Sequence, residues 1–435
     1  MWRTHCRRDP PRRAAAAWTG FNADGLARAA LGLAFVVAVY LAKAVRGGLQ
    51  ALPEGRVVAA QVIGLDYWRI ARLIVRPPAL VLVAALLLAV RPAGAQRAPQ
   101  TSDVIEQAWR SWMSKSVDRS GGLVVLRGGR LVREAAIGVV RPGASVPYAS
   151  LSKAITGVCV ARLIERGRLA FNMPLSQALA RTLARLGRPA DPRLLAVTIG
   201  ELLVHRAGFD GKRDEANAPL AGYLRRNTAR RTAFDVQLKW LLRDPLTYEP
   251  GTHYAYSNAA YLVLGAVIEE ASGRDYEDYC RETVLVPLSA RQAELDPEWR
   301  ILSSYGGWRM PLADYGRFYR AFALGSSAIG PTERAWMMSP DGKQTGAGVH
   351  YGLGTFVRPT PVGGGRFWHW GAWTYNLPGA ADGPLKASYS TYAVRMGSLD
   401  ADMVMYVQPG LGEGPGRGEI DRALGDAARS VTDWR

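Results

Sequence analysis

Histidine and cysteine, the side chains that most often bind transition metals, are scarce in this chain of 435 residues, which has five histidines and three cysteines. The histidines are scattered, and no two of them have the paired spacing typical of a zinc site. We therefore expect neither a metal nor a cofactor. Cys159 lies in an apolar run and is expected to be a small buried side chain, and nothing in the sequence places it near Cys280.

Lysine is scarce too, because most basic residues are arginine and only seven lysines occur. The net charge of +18 is uneven, since residues 1–95 carry 13 Lys and Arg against four Asp and Glu, which is half of the surplus. Basic runs with interleaved aromatic residues, which mark a nucleic-acid surface, are lacking. Nucleic acid is therefore not an expected partner.

No uninterrupted apolar run reaches the roughly twenty residues that a membrane-spanning helix needs. The two longest runs are residues 29–42 and residues 79–90, and the second has the setting of a secretory signal peptide. Arginines precede it and Ala93-Gly94-Ala95 follows it, as a basic region and an Ala-x-Ala cleavage site do. We expect residues 65–95 to be a signal peptide and residues 96–435 to be exported, either periplasmic or secreted.

Residues 1–64 are ambiguous, because a cleavable signal peptide should begin a protein. In one interpretation they lie upstream of the true translation start. In the other they are part of the protein, and the two apolar runs form a marginal helical hairpin that anchors it to the inner membrane.

The strongest chemical signal is the pair Ser150 and Lys153, at the head of an apolar run with helical spacing. Residues three apart lie on one face of a helix, so the hydroxyl and the amine are neighbours. A serine hydroxyl is a weak nucleophile until a neighbouring base takes its proton. Ser-x-x-Lys is an acyl-enzyme signature, and it occurs once in this chain.

Two further groups follow in the order that such a site needs. Tyr256 and Asn258 come after a Pro-Gly turn, and an extended segment would present both side chains on the same side, as a base and a substrate ligand. His369 and Gly371 lie in a strand-like run after three glycines. There the glycine would let a ligand approach the backbone, and the amide of Ala372 would be available to an oxyanion.

Together Ser150-x-x-Lys153, Tyr256-x-Asn258 and His369-x-Gly371 resemble the motifs of the serine β-lactamase and penicillin-binding group. The branch in question includes class C β-lactamases, D-alanyl-D-alanine carboxypeptidases and related esterases. Residues 202–209 and 351–354 resemble further stretches of that branch, and the likeness covers roughly residues 103–430.

The resemblance implies a mechanism for each of these residues. Ser150 would form an acyl-enzyme, with Lys153 and Tyr256 sharing the proton transfers. The amides of Ser150 and Ala372 would form the oxyanion hole, and Asn258, with His369 and Gly371, would bind a small-molecule or peptide ester or amide.

The order of local patterns favours an α+β fold, with an antiparallel sheet flanked by helices and an all-α lobe. Strands are expected near both ends of residues 96–435, with helices between them. The expected helices are 103–117, 150–166, 261–271, 311–324 and 419–431, the lobe is 170–250, and the expected strands are 122–127, 131–140, 351–357, 367–373, 387–394 and 401–407.

The third motif departs from the Lys-Thr-Gly of β-lactamases. Histidine is only partly charged at pH 7, so we expect His369 to bind a substrate carboxylate weakly. Aromatic residues around it predict an apolar acyl pocket, and these are Trp368, Trp370, Trp373 and Tyr375. An ester or a hydrophobic amide is therefore favoured as substrate. A β-lactamase, a D-Ala-D-Ala carboxypeptidase and a penicillin-recognising sensor without turnover are the alternatives.

Two other histidines are expected to have local roles. His350 begins a second His-x-Gly, and we assign it to the strand before the third motif. His205 is expected to hydrogen-bond nearby groups and is not counted as catalytic.

Overall fold

An eight-stranded antiparallel sheet is the centre of the fold. The computed structural model describes residues 101–211, 234–297, 299–360, 364–376, 386–412 and 414–434. The expected signal peptide and residues 1–64 lie outside these ranges. The strands are β1 Ser120–Arg127, β2 Arg130–Ile137, β3 Ser145–Pro147, β4 Glu294–Leu295, β5 Trp308–Pro311, β6 Gln344–Gly346, β7 Val349–Gly352, β8 Thr355–Pro359, β9 Gly365–Asn376, β10 Lys386–Met396 and β11 Ala401–Gln408.

The strand order in the large sheet is β2-β1-β11-β10-β9-β8-β7-β6, and β3, β5 and β4 form a small second sheet. The first hairpin of the domain therefore pairs with its last strand, as Val124 lies opposite Val404. This pairing joins segments far apart in sequence into one sheet.

Helices cover both faces of the sheet. Those in the described residues are α1 Asp103–Met113, α2 Ser152–Glu165, α3 Leu175–Ala178, α4 Ala180–Leu186, α5 Ile199–Leu203, α6 Phe234–Leu241, α7 Asn258–Ser272, α8 Tyr276–Cys280, α9 Ser303–Gly306, α10 Leu312–Tyr319, α11 Pro331–Met338 and α12 Pro415–Ser430. The α+β class, with an antiparallel sheet flanked by helices, is confirmed.

The alternation of side chains along β1 explains the two layers. Leu123 and Val125 point to one face, where they pack in a core with residues of α1 and α12. Val124 and Leu126 point to the other face, where the larger core includes α2, α7 and α10. Because both faces of β1 are buried, its sequence contains a continuous apolar run.

Three expectations about local structure are wrong. Residues 351–357 are not one strand, because Leu353 and Gly354 take positive φ values of 49° and 81° and join β7 to β8 in a turn. Ser150 does not open the α-helix: it lies in a 3₁₀ turn, Ala149–Leu151, and α2 begins at Ser152. Asn258 is not in an extended segment but is the first residue of α7.

Cys159 and Cys280 form a disulfide, with their Cα atoms 5.7 Å apart. The expectation that Cys159 is only a small buried side chain is therefore wrong. The bond joins α2 to the end of α8 across a sequence separation of 121 residues, which no local pattern reveals. Within the described ranges, no helix has the length and apolar character needed to cross a membrane.

Candidate active site

The segment that carries Ser150 is held in place from several sides. It follows β3 and packs against β5, β10 and α10, and hydrogen bonds from these elements fix its backbone. The bonds are Tyr148 N–H to Trp308 O at 3.0 Å, Trp308 N–H to Ser152 Oγ at 3.1 Å, Tyr315 Oη–H to Leu151 O at 2.9 Å and Thr391 Oγ1–H to Tyr148 O at 2.9 Å. The serine therefore sits on a rigid support.

The residue before the serine has an unusual backbone. Ala149 has a φ of 47°, in the left-handed region that non-glycine residues rarely adopt. Such a conformation costs on the order of 1–3 kcal/mol and is found where surrounding structure enforces it. Here it turns the chain sharply from β3 into α2, so that the Ser150 side chain is half-buried rather than enclosed.

Lys153 is fully buried, and its ammonium nitrogen contacts three oxygen atoms. Nζ lies 3.1 Å from Ser150 Oγ, 2.6 Å from Asn258 Oδ1 and 3.1 Å from the carbonyl oxygen of Tyr305. An ammonium group would donate to all three. A neutral amine would donate to Asn258 and Tyr305 and accept from the serine hydroxyl, so the proton can pass between Ser150 and Lys153 without rearrangement.

Tyr256 lies on the other side of this lysine. Lys153 Nζ is 4.8 Å from the centre of the Tyr256 ring, within the range of a cation–π contact. The structure thus brings together Ser150 and Lys153 from one segment with Tyr256 and Asn258 from a second, distant one.

Two glycines determine how deep α2 lies. A Cβ on Gly157 would be 2.2 Å from Leu353 O, and a Cβ on Gly354 would be 2.1 Å from Lys153 O. Neither distance is tolerated, so only glycine lets the β7–β8 turn lie directly against the helix that carries the lysine.

Gly371 has the same function in the third motif. A Cβ there would be 2.3 Å from Tyr148 O and 2.4 Å from Thr391 Oγ1. The side of Gly371 that a Cβ would occupy is therefore filled by the nucleophile segment, and the role of this glycine in substrate binding stays a prediction. The close contact places β9 beside Ser150.

Ala372 follows on β9, opposite Ser390 of β10. On the other edge of β9, the pairing with β8 ends at Trp368. In the described part of the sheet, the edge that contains Ala372 therefore has no strand beside it and lies next to the nucleophile segment. Its service as an oxyanion donor stays a prediction.

His369 is not a partly charged group, which corrects the expectation from the sequence. It is 2% exposed, and burial, with repulsion from Lys153, lowers its pKa to about 3. Both ring nitrogens are bonded: Nδ1–H donates to Trp370 O at 2.6 Å, and Nε2 accepts from Tyr351 Oη–H at 2.9 Å. The imidazole is neutral at pH 7 and offers no cation to a carboxylate.

The predicted pocket of four aromatic residues is wrong in part. Side chains alternate along β9, so Trp368 and Trp370 lie on the face opposite Gly371, packed against the core of α1 and α12. Trp373 lies on the same face as Gly371 and meets Trp299 edge to face at 5.9 Å. The side chain of Tyr375 lies outside the described residues.

His350 and His205 have the local roles expected. His350 is in β7, and its Nε2 is 2.8 Å from Met337 O. His205 Nδ1 accepts a hydrogen bond from the Ser257 amide at 3.1 Å.

Sequence reasoning missed two contributors to the site. Tyr305 acts through a backbone carbonyl, for which no sequence signal exists. The sequence indicates Tyr351 only as part of a strand, yet this residue fixes the tautomer of His369. The period-two alternation of β9 was a signal that could have separated Trp373 from its neighbours.

A family model, Beta-lactamase, matches residues 109–383. The chain belongs to the β-lactamase family. Its members are serine hydrolases, including esterases, carboxypeptidases and β-lactamases, and the resemblance in the motifs is confirmed at the level of the superfamily.

Individual relatives share only part of the chain. Esterase EstB of Burkholderia gladioli is 31% identical over 176 residues, 40% of this chain and 42% of the relative. A β-lactamase/D-alanine carboxypeptidase structure from Yersinia pestis has a TM-score of 0.57 at 17% identity, over 76% of this chain and 98% of that one, which supports the fold alone. The alignment covers 42% of the length of EstB and 31% of the length of another curated relative, so the chain spans less than half of either protein.

A further relative belongs to another class. A transport system permease protein, BztC of Rhodobacter capsulatus, is 46% identical over 61 residues, 14% of each chain.

Proposed function

We propose that this protein is an exported serine hydrolase that cleaves an uncharged ester or amide through an acyl-enzyme on Ser150. The observation that carries the proposal is the hydrogen-bonded set of Ser150 Oγ, Lys153 Nζ and Asn258 Oδ1. Family membership supports hydrolysis, and the geometry supports the assignment of roles.

In the first half-reaction, Lys153 as a neutral amine takes the proton of Ser150 while Oγ bonds to the carbonyl carbon. The carbonyl electrons move to oxygen, where the amides of Ser150 and Ala372 are the proposed donors. Collapse breaks the bond to the leaving group, which takes the proton from Lys153. An acyl-Ser150 ester and a free alcohol or amine result.

In the second half-reaction, water attacks the acyl carbon and Tyr256 accepts a proton from it. Collapse releases the carboxylic acid and returns the proton to Ser150 Oγ. Lys153 Nζ lies 4.8 Å from the centre of the Tyr256 ring, so the two proposed proton-transfer groups are neighbours.

The preference for an uncharged substrate rests on His369. Where β-lactamases have a lysine, this chain has a buried imidazole that is neutral at pH 7 and fully engaged in hydrogen bonds. A substrate carboxylate would gain no ion pair from this position. The aromatic residues give this preference little support, because Trp368 and Trp370 lie on the opposite face and, among the described side chains of this group, Trp373 alone is on the site face.

The test compares hydrolysis of p-nitrophenyl butyrate and nitrocefin by the full chain, its Ser150→Ala variant and a Ser111→Ala control on the exposed face of α1. Ester turnover is expected in the wild type and the control, and a loss of at least about 10³-fold in Ser150→Ala. Ester turnover that survives in Ser150→Ala would contradict the proposed nucleophile.

Nitrocefin decides between the alternatives. Slow or absent turnover is expected, because the imidazole of His369 is neutral at pH 7 and does not supply the charge of a lysine. Turnover comparable with that of the ester would favour a β-lactamase or carboxypeptidase. A stable acyl adduct on Ser150 without turnover, seen by mass spectrometry, would favour a penicillin-recognising sensor.

Export is supported by the signal-peptide pattern of residues 65–95 and by the Cys159–Cys280 disulfide, since such bonds persist in oxidising compartments.

We also propose that the permease similarity lies within residues 1–95. The β-lactamase match begins at residue 109, and the longest apolar runs, 29–42 and 79–90, are found before it. This placement favours the alternative in which residues 1–64 are a translated membrane segment.

Mass spectrometry of the natively expressed protein tests that alternative. Tryptic peptides from residues 18–46 are expected if the segment is retained. A mature protein that begins at residue 96, with those peptides absent from all fractions, would instead support cleavage of a signal peptide.

A further inference from the structure

Tyr256 lies in a segment without regular structure. Residues 253–257 belong to neither a helix nor a strand, and α7 begins only at Asn258. A proton-transfer group has to be held to within a fraction of an ångström, because small displacements cost large factors in rate. Other contacts must therefore fix the backbone on both sides of Tyr256.

His205 supplies such contacts through both its main chain and its side chain. Its carbonyl oxygen accepts the amide hydrogen of Ala255 at 2.9 Å, and its Nδ1 accepts the amide hydrogen of Ser257 at 3.1 Å. The two residues that flank Tyr256 are thus bonded to a single histidine.

The imidazole also contacts the phenol ring. The ring centres of His205 and Tyr256 are 4.4 Å apart, and Lys153 Nζ is 4.8 Å from the centre of the same phenol ring. The His205 ring is itself packed against Tyr261 at 5.1 Å and Tyr351 at 4.6 Å. The phenol therefore has fixed neighbours.

The backbone of His205 indicates that its side chain is needed. It has a φ of 57°, just past the end of α5, in a conformation where glycine is the usual and less strained residue. Glycine at this position would keep the carbonyl contact to Ala255 but would lose the acceptor for Ser257. Burial lowers the pKa of His205 well below its usual range, with Lys153 and His369 lowering it further, so Nδ1 keeps the lone pair that this bond uses.

We propose that His205 is a positioning residue, which holds Tyr256 beside Lys153 by bonding the amides on either side of it. The inference rests on the proposed function of Tyr256 as a base. His205 touches no reacting atom and acts only through the tyrosine.

Two variants with amide side chains at position 205 distinguish this positioning role from a role in packing alone. In His205→Asn, Oδ1 takes the place of Nδ1 and can still accept from the Ser257 amide. In His205→Gln, the side chain is one carbon longer and its polar atoms lie near the former Nε2. The readouts are hydrogen exchange of the Ser257 amide in the full chain, and kcat and KM for p-nitrophenyl butyrate.

We expect His205→Asn to keep the protection of Ser257 and a kcat within about threefold of the wild type. His205→Gln should exchange at least about tenfold faster at Ser257 and lose about 10²-fold in kcat with little change in KM. In a Tyr256→Phe background, adding His205→Gln should lower kcat little further, because both changes act on the same group.

Equal exchange and equal kcat in both variants would overturn the inference, as would full additivity with Tyr256→Phe. If His205→Gln does not fold, a folded His205→Asn that loses Ser257 protection also overturns it. If the wild type shows no Ser150-dependent turnover, the proposed function fails, and hydrogen exchange alone decides whether His205 holds the segment.

Discussion

Gly371 shows, at the scale of single residues, how the absence of a side chain can build a site. The nucleophile segment and β9 approach so closely that a methyl group would overlap Tyr148 O and Thr391 Oγ1. That contact places β9, and with it Ala372, against the segment that carries Ser150. The glycine therefore helps to determine the position of the proposed oxyanion donor.

Gly371→Ala is expected to lower both stability and activity. The added methyl must push β9 away from the nucleophile segment, at a cost of about 1–3 kcal/mol in the free energy of unfolding. A displaced oxyanion donor should lower kcat by about 10²-fold or more. Urea unfolding and ester hydrolysis would measure the two effects.

Gly346→Ala is the matched control, because Gly346 is in β6 of the same sheet and its added methyl would meet nothing within 4 Å. It should leave kcat unchanged. Equal effects of the two substitutions would show that the close contact at Gly371 does not matter.

At His369, burial and the neighbouring Lys153 both favour the neutral imidazole. Repulsion from Lys153 adds to burial in keeping His369 neutral. A lysine at position 369 would be charged and would be repelled by Lys153. The presence of histidine where β-lactamases have lysine thus changes the electrostatics of the site as well as its ligand contacts.

At the scale of elements, the sequence predicted which helices and strands exist better than it predicted the residues at which they begin and end. The expected helix 103–117 and strands 367–373 and 401–407 correspond to α1, β9 and β11. Their periodic patterns come from burial on one or both faces, which is a local property. The start of α7 was missed by three residues, although Ser257 is its N-cap, with Oγ accepting from the Ala260 amide at 3.3 Å.

What could not be predicted depends on contacts between distant segments. The turn between β7 and β8 forms where Gly354 meets the carbonyl of Lys153, about 200 residues away in sequence. The motif residues were found because their types and order are chemically specific. The carbonyl of Tyr305 and the orientation of the tryptophans required the fold.

The disulfide is the clearest case of such a contact. It links α2, which carries Lys153, to the end of α8. Bonds that close loops of this length typically stabilise a fold by about 2–4 kcal/mol. Cys159 follows Lys153 by six residues, so this bond also restrains the helix that places the lysine.

Across the whole molecule, the site lies on one face of the sheet and the helices α1 and α12 close the other. Buried histidines are concentrated on the site side. His205, His350 and His369 are each at most 2% exposed, and burial lowers the pKa of all three.

This arrangement predicts that the free energy of unfolding falls as the pH is lowered from about 6.5. In the unfolded chain these histidines bind a proton near pH 6.5, whereas folded His369 does so only near pH 3. The unfolded state therefore binds more protons between these values, and folding stability decreases with decreasing pH. For His369 alone the loss between pH 6.5 and pH 4.5 should be about 2 kcal/mol.

Other groups titrate in the same range, so the measurement is a difference. Burial raises the pKa of Asp402 to about 6, and because its folded form then holds the extra proton, it contributes in the opposite direction. Urea unfolding of the wild type and His369→Gln at pH 6.5 and pH 4.5 cancels that contribution. The variant should lose about 2 kcal/mol less than the wild type, because glutamine has no proton to gain. Parallel losses would mean that His369 is protonated in the folded protein, and this residue would then no longer argue for an uncharged substrate.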